Sequence, residues 1–405
     1  MFNDIKERSK PPKASPTFKT PEQIAAVEEK TKPTIEAITL DEIPQKMKKR
    51  IKFRIKFSKK NIIIAAIVVV VIILALGGWF TYEHYHHHVA KPAAAKAIII
   101  KPVSTTVPST LSGLPVAPSV NKLPVTGIMV ENEIDARPQS GLDQANVVFE
   151  ALAEGGITRF LALYQDTQPS YIGPIRSARP YYVSWCMGFD CDYAHVGGSP
   201  DALTDISNWG VKDLNEFYNG GAYERITNRE APHNVYSSIA SLNTLEDSKG
   251  FTTSDFQGFP RKAASPLKVP TVTAINLDIG TSEYNASYAY DATTNDYVRS
   301  EAGQLMTNVA ANGTPVQIAP KVVIAIVVPF SLGALDASDA YYSNYAVIGS
   351  GAAYVFQDGG VTVGTWQKTS NSAQITFSDA QGQAIKLDPG QTWITALTDS
   401  TQLTY

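Results

Sequence analysis

Cysteine is almost missing from this chain of 405 residues: only Cys186 and Cys191 are present. Two thiols alone cannot build a CxxC-type metal cluster. A disulfide between them requires a tight turn, because residues five apart are too distant in a straight helix or strand. Gly188 can supply that turn, so a bridge and a free buried pair stand equally open. Histidine is nearly as scarce where a fold is expected. Four of the six lie in Tyr82–His88, an exposed stalk without a rigid ligand frame, and only His195 and His233 lie beyond it. The sequence has no G-x-S-x-G, Walker loop, H-E-x-x-H or G-x-G-x-x-G. No cofactor and no metal site are expected.

Positive charge is also lacking in the main body. Residues 122–405 carry 16 Lys/Arg against 29 Asp/Glu, whereas residues 1–60 carry 16 against 8. An acidic body excludes general nucleic-acid binding, which needs a basic face to neutralise phosphates. Asn61–Tyr82 has no charge at all. It is long enough to cross a hydrocarbon core, and Trp79, Phe80 and Tyr82 sit where aromatic rings favour the interface. The preceding QKMKKRIKFRIKFSKK holds nine Lys/Arg and no acid. The positive-inside rule therefore predicts an N-terminus in the cytoplasm and the rest outside. The run is too long and too far from the start for a signal-peptide h-region.

The expected organisation is a disordered basic cytoplasmic tail (1–60), a transmembrane helix (61–82), an Ala/Pro/Ser/Val-rich linker (83–121) and two ectodomains (122–262 and 270–405). The boundary falls in GFPRKAASPLKVP. The fold class is α+β: a mixed α/β first ectodomain followed by a mainly β second domain, preceded by the one transmembrane helix. Strands are predicted at Thr126–Val130 and Tyr193–Val196. Glu154-Gly155-Gly156 joins Val147–Ala153 and Thr158–Tyr164 as a hairpin. Ser199-Pro200 is an N-cap with proline at N1, and it starts a helix. Tyr181–Met187 and Ile239–Lys249 also read as helices. In the second part Ala274–Asp278, Tyr284–Tyr290, Val322–Val328, Tyr345–Ser350 and Thr392–Leu397 read as strands, with a hairpin over Ala353–Gln367.

Arginine is unevenly placed. Residues 121–240 hold six arginines and two lysines, and residues 241–405 hold two arginines and six lysines. Arginine suits bidentate recognition of carboxylate or phosphate, and loops concentrate binding residues. The candidate ligand-binding residues are Arg137, Arg159, Arg176, Arg179, Arg229 and Asn234. The bland reading is that these arginines tie loops to acids such as Glu131, Glu150 and Glu154. His195 and His233 both lie beside turn chemistry and are the candidate acid/base residues, with Glu154 or Glu150 as partner.

Several blocks together resemble the YerB-like lipoprotein family. PVTGIMVEN, ARPQSGLDQANVVFE, EGGITRFLALYQ, IGPIRSARPYYV, HVGGSPDAL and APHNVYSS are similar to its N-terminal domain. AAYVFQDGGVTVGTWQK and KLDPGQTWI are similar to its C-terminal domain. The resemblance implies an envelope location and two parts, with no assigned activity. Many family members are anchored through a lipidated cysteine near the N-terminus, and here the Ile62–Phe80 helix takes that role. The expected function is a membrane-anchored module that binds an anionic or glycan wall component, such as a peptidoglycan fragment, through its arginine loops. A hydrolase or transferase using His195 or His233, and a scaffold or regulatory protein, are the alternatives.

Overall fold

Two apolar runs separated by a glycine pair build the centre of the fold. In the computed structural model, which describes residues 59–87, 105–336 and 338–405, β1 (Thr126–Glu131), β2 (Val147–Glu154) and β3 (Ile157–Tyr164) are antiparallel neighbours in the order β2-β3-β1. Gly155 and Gly156 both take positive φ, 58° and 79°, which a side chain would strain. A short β4 (Asp192–Ala194) adds parallel to β1. Helices α2 (Pro180–Met187), α3 (Pro200–Trp209) and α4 (Ile239–Lys249) follow the predicted starts and stops, counting as α1 the N-terminal helix Lys59–His87. Ser199 caps α3 by accepting the Ala202 N–H at 3.3 Å, with Pro200 at the first helical position.

The second half of the chain extends this sheet instead of making its own. Its strands are β5 (Ala274–Leu277), β6 (Ala286–Asp291), β7 (Asp296–Glu301), β8 (Val322–Val327), β9 (Phe330–Leu335), β10 (Tyr341–Tyr345), β11 (Gly349–Gln357), β12 (Gly360–Lys368), β13 (Thr376–Asp379), β14 (Thr392–Leu397) and β15 (Leu403–Thr404). The main sheet runs β13-β12-β11-β8-β14-β2-β3-β1-β4, with β9 and β10 hung from the end of β2. β14 lies parallel to both β8 and β2. A second sheet of β7, β6, β5 and β15, edged by Gln304–Leu305, packs on one face. Residues 99–405 are one compact unit. The predicted boundary at 258–270 therefore separates two stretches of sequence and not two cores. Phe259 is buried, and Lys262 pairs with Asp358 and Asp388.

Successive residues of β2 face opposite sides. Phe149 stacks on Trp185 of α2, with ring centroids 5.0 Å apart. Glu150 points the other way, into the second sheet. It is fully buried, and it accepts from Arg299 Nη2 on β7 at 2.8 Å, Trp393 Nε1 at 2.9 Å and Thr395 Oγ1 at 3.2 Å. Arg299 also lies over the Trp393 ring at 4.6 Å. The structure is α+β with a mainly β second part, as expected.

Two local expectations are corrected and one open question is resolved. The linker was placed at 83–121, yet Leu111 is fully buried, and Ser109 and Ser112 both donate to Asp166, so residues 105–121 belong to the fold. Tyr345–Ser350 is not one strand: β10 ends at Tyr345 and β11 begins at Gly349. Cys186 and Cys191 are bridged, with Cα atoms 5.3 Å apart, because α2 ends at Met187 and the chain turns. The disulfide packs against Gly127 of β1, where a Cβ would stand 2.4 Å from Cys191 Sγ. The predicted tail lies outside the described residues except for Lys59 and Lys60.

By itself, α1 is 29 residues long. Its stretch Ala66–Tyr85 is long and apolar enough to cross a membrane, by length and composition. Residues 66–85 are exposed all round the helix, which in water would be unfavourable.

One buried group gives the fold a pH dependence. Asp192 on β4 is fully buried, its carboxylate oxygens accept no hydrogen bond, and Lys212 Nζ is 3.6 Å away. Burial, reinforced by nearby Glu246, pushes its carboxyl up to about 8. Burial pushes Glu246 up to about 7. Unfolded carboxyls titrate near about 4, so between there and pH 8 the native state holds more protons than the unfolded one. Stability from these groups therefore falls as pH rises through that window. Relative to wild type, Asp192→Asn should gain Tm progressively from pH 5.5 to pH 8.5, measured by thermal denaturation of the full chain. A constant difference across that range would show that Asp192 does not titrate there.

Candidate functional site

The C-terminal ends of β1 and β2 gather most of the candidate residues on the face covered by α2. Glu131 ends β1 and pairs in register with Arg159 on β3. Glu154 ends β2. The loop before α2 brings Arg176 and Arg179 over these ends, fixed by Arg176 N–H to Met129 O at 2.9 Å and Glu131 N–H to Pro174 O at 2.9 Å.

Two carboxylates hold three guanidiniums. Arg159 Nη2 donates to Glu154 Oε1 at 2.6 Å, and Arg179 Nη2 donates to the other oxygen of Glu154. Arg176 Nε donates to Glu131 Oε1 at 2.8 Å. Arg159 and Arg179 are almost fully buried, and Arg179 also lies over the Tyr342 ring at 5.0 Å. Burial alone would raise the Glu154 carboxyl, but the Arg159 and Arg179 charges outweigh it and hold the carboxyl below its usual value. Glu154 is thus an ionised counter-charge and a poor general acid.

His233 joins this group. Its Nδ1 meets Glu131 Oε2 at 3.0 Å, and its Nε2 points outward, 3.9 Å from Glu133 Oε2. Arg229 donates to the carbonyls of Asp135 at 3.1 Å and Pro138 at 2.7 Å, tying the His233 loop to the turn after β1. Arg137 donates to Asn132 O at 3.1 and 3.2 Å and lies 3.4 Å from Glu301 Oε2. It lines a cleft of about 330 Å³ with Pro138, Gln139, Glu301, Leu305 and Met306.

Three candidates do not belong. His195 is fully buried, with Nδ1 2.6 Å from Gly197 O and Nε2 2.9 Å from Asp213 Oδ1. Both nitrogens are committed to the fold, so His195 is not placed for acid/base work. Asn234 bonds Ile226 O at 3.4 Å and Arg225 Nη1 at 3.5 Å, within its own short hairpin. Glu150 sits on the opposite face, against Arg299. Sequence reasoning missed Glu133, Asp135, Asn132 and Glu301. The acidic alternation in Glu131-Asn132-Glu133-Ile134-Asp135 was the available signal for the first three, while Glu301 had none.

This arrangement can be set beside known proteins. Residues 111–252 match the model for the protein of unknown function (DUF3048) N-terminal domain, and residues 275–394 match that of its C-terminal domain. The chain belongs to the DUF3048 family. A Bacillus subtilis (strain 168) relative described as "Putative lipoprotein YerB" is 30% identical over 300 residues, 71% of this chain and 86% of the relative. The crystal structure of the B. subtilis YerB protein matches with a TM-score of 0.64 at 29% identity, covering 74% of this chain and 99% of that one. The two DUF3048 matches meet at the Glu150–Arg299 contact, one partner lying in each.

The pairing predicts how the arginines respond to loss of their counter-charge. Glu154→Gln leaves two buried guanidiniums against a neutral amide and should cost about 3–5 kcal/mol of folding stability. Arg225→Ala removes an exposed pair to Glu216 and should stay within about 0.5 kcal/mol. Urea unfolding of both variants checks this, and equal midpoints would contradict a structural role for Glu154.

Proposed function

We propose that this DUF3048 protein is a membrane-anchored protein of the bacterial envelope whose folded part lies outside the cytoplasm. There it binds an anionic or glycan wall component beside Arg137 and Arg229. The lipoprotein named among its relatives supports membrane attachment. The exposed apolar surface of α1, with nine Lys/Arg and no acid just before it, supports a single pass with the N-terminus inside.

One observation carries the binding reading: the guanidinium of Arg229 is met by backbone carbonyls and not by a carboxylate. Its charge is less neutralised than those of Arg159, Arg176 and Arg179, which have ion-pair partners. It adjoins Pro138, and so the Arg137 cleft. Arg159 and Arg179 are framework for this site, and the ligand contacts shift to Arg137 and Arg229. The second reading, a hydrolase or transferase, is favoured by His233, whose Nδ1 is held by a buried carboxylate while Nε2 faces outward.

Calorimetry of the full chain in detergent with muropeptides and anionic wall glycans, alongside mass spectrometry of the incubated ligand, separates these readings. Arg229→Ala should weaken binding by roughly 1.5–3 kcal/mol, the scale of a charged hydrogen bond, with the ligand mass unchanged. Turnover that falls about 10²–10⁴-fold in His233→Ala would replace the binder with the enzyme. Neither heat nor turnover would favour a scaffold. Independently, protease added to intact spheroplasts should degrade residues 105–405 and spare residues 1–58; the opposite pattern would reverse the orientation.

A further inference from the structure

The side chains around His233 are arranged for something smaller than a wall fragment. One ligand atom each from Glu133, Asp135 and His233 lie within 4.8 Å of one another. We propose that these three residues form a site for a divalent transition-metal ion of the Zn²⁺ class, with Glu131 as the group that orients His233.

The orientation is built from the core outward. Glu131 is almost fully buried and is fixed by Arg176 at 2.8 Å. Its other oxygen accepts from His233 Nδ1 at 3.0 Å. A proton on Nδ1 leaves the Nε2 lone pair pointing outward, the arrangement in which a carboxylate behind a histidine fixes its tautomer and strengthens it as a ligand. That lone pair faces Glu133 Oε2 at 3.9 Å. A cation placed between these two atoms would be held by both.

The turn that carries the two carboxylates is held as well. Glu133 and Asp135 flank Ile134 at the start of a short 3-10 turn, Ile134–Ala136. Glu133 Oε2 accepts the Asp135 N–H at 2.7 Å, and Arg229 grips the Asp135 carbonyl. Arg229 therefore supports the turn through its backbone. With Glu131 balanced by Arg176, the two carboxylates of Glu133 and Asp135 are left beside the imidazole, which suits a dication. Coordination at about 2 Å requires the donors to close in further, and Glu133 and Asp135 are exposed enough to swing. The nitrogen and oxygen donors favour Zn²⁺ or a similar ion over Ca²⁺. Three protein donors leave a coordination position open toward solvent, where an oxygen of an anionic ligand can enter.

The site stands apart from the wall-ligand reading because it is tested with the metal alone. The full chain in detergent, without an affinity tag, carries His84→Ala, His86→Ala, His87→Ala and His88→Ala to remove competing histidines. Titration calorimetry with ZnCl₂ should show one equivalent bound, with a rise in Tm. His233→Ala should abolish that equivalent, and Asp135→Asn should weaken it. Glu131→Gln should keep the stoichiometry and weaken affinity by about tenfold or more. Because His233→Ala can disturb the loop, Glu133→Gln, on the exposed turn, serves as the second variant and should also weaken Zn²⁺. No saturable equivalent in the parent, or an equivalent that survives both His233→Ala and Glu133→Gln, would overturn the proposal. The first result would assign a proton on Nε2 as what separates His233 from Glu133.

Discussion

An ion pair fully buried between two sheets ties the two halves of this protein together. Glu150 and Arg299 are both fully buried and 2.8 Å apart. The carboxylate needs β14 as well, because Trp393 and Thr395 donate to it. The guanidinium needs β6 and the segment after the Gln304–Leu305 edge, because Tyr288 Oη and Met306 Sδ accept from it. Neither charge can be left alone at that depth without a penalty of several kcal/mol. Such a pair adds little net stability over a well-packed apolar substitute. Its effect is to make β2, β7 and β14 mutually dependent, so that neither DUF3048 segment completes the core alone.

The same logic explains where positive charge sits around the candidate site. Arginine was a sound marker of places where geometry matters, but for most of these residues the partner is internal. Arg159 and Arg179 share one carboxylate, and Arg176 has another. These interactions keep the ends of β1 and β2 and the loop before α2 in register. They also supply the rigid frame from which His233 and the Glu133–Asp135 turn project. Rigidity at the base and exposure at the tip is how a binding position is held without freezing its ligand contacts.

The hairpin of β2 and β3 was legible because a Glu-Gly-Gly turn separates two apolar runs. α3 was legible from Ser199-Pro200, and α4 was read with the ends it has. β7 was not, although its burial alternates without a break. The buried members are Tyr297, Arg299 and Glu301, so a search for apolar alternation does not register the strand. The joining of the two halves was equally hidden: nothing near Glu150 in sequence names Arg299, a partner about 150 residues away. At the site, the loop arginines and His233 were singled out as separate candidates, and the structure brings Arg176 and His233 together on Glu131. His195 was not separable from His233 by sequence, since both flank turns, and only the Gly197 and Asp213 contacts decide its role.

The position of β14 bears on how the chain is made. It is a central strand, parallel to β8 on one side and β2 on the other. It also emerges from a ribosome or a translocation channel after both of these neighbours. Until residue 397 is free, β2 and β8 each present an unpaired apolar edge, and the Glu150 carboxylate lacks its Trp393 and Thr395 donors. Such edges recruit other strands readily. The sheet therefore closes only after both flanking strands have been made, and the interval before closure is when the nascent protein most needs protection from its neighbours.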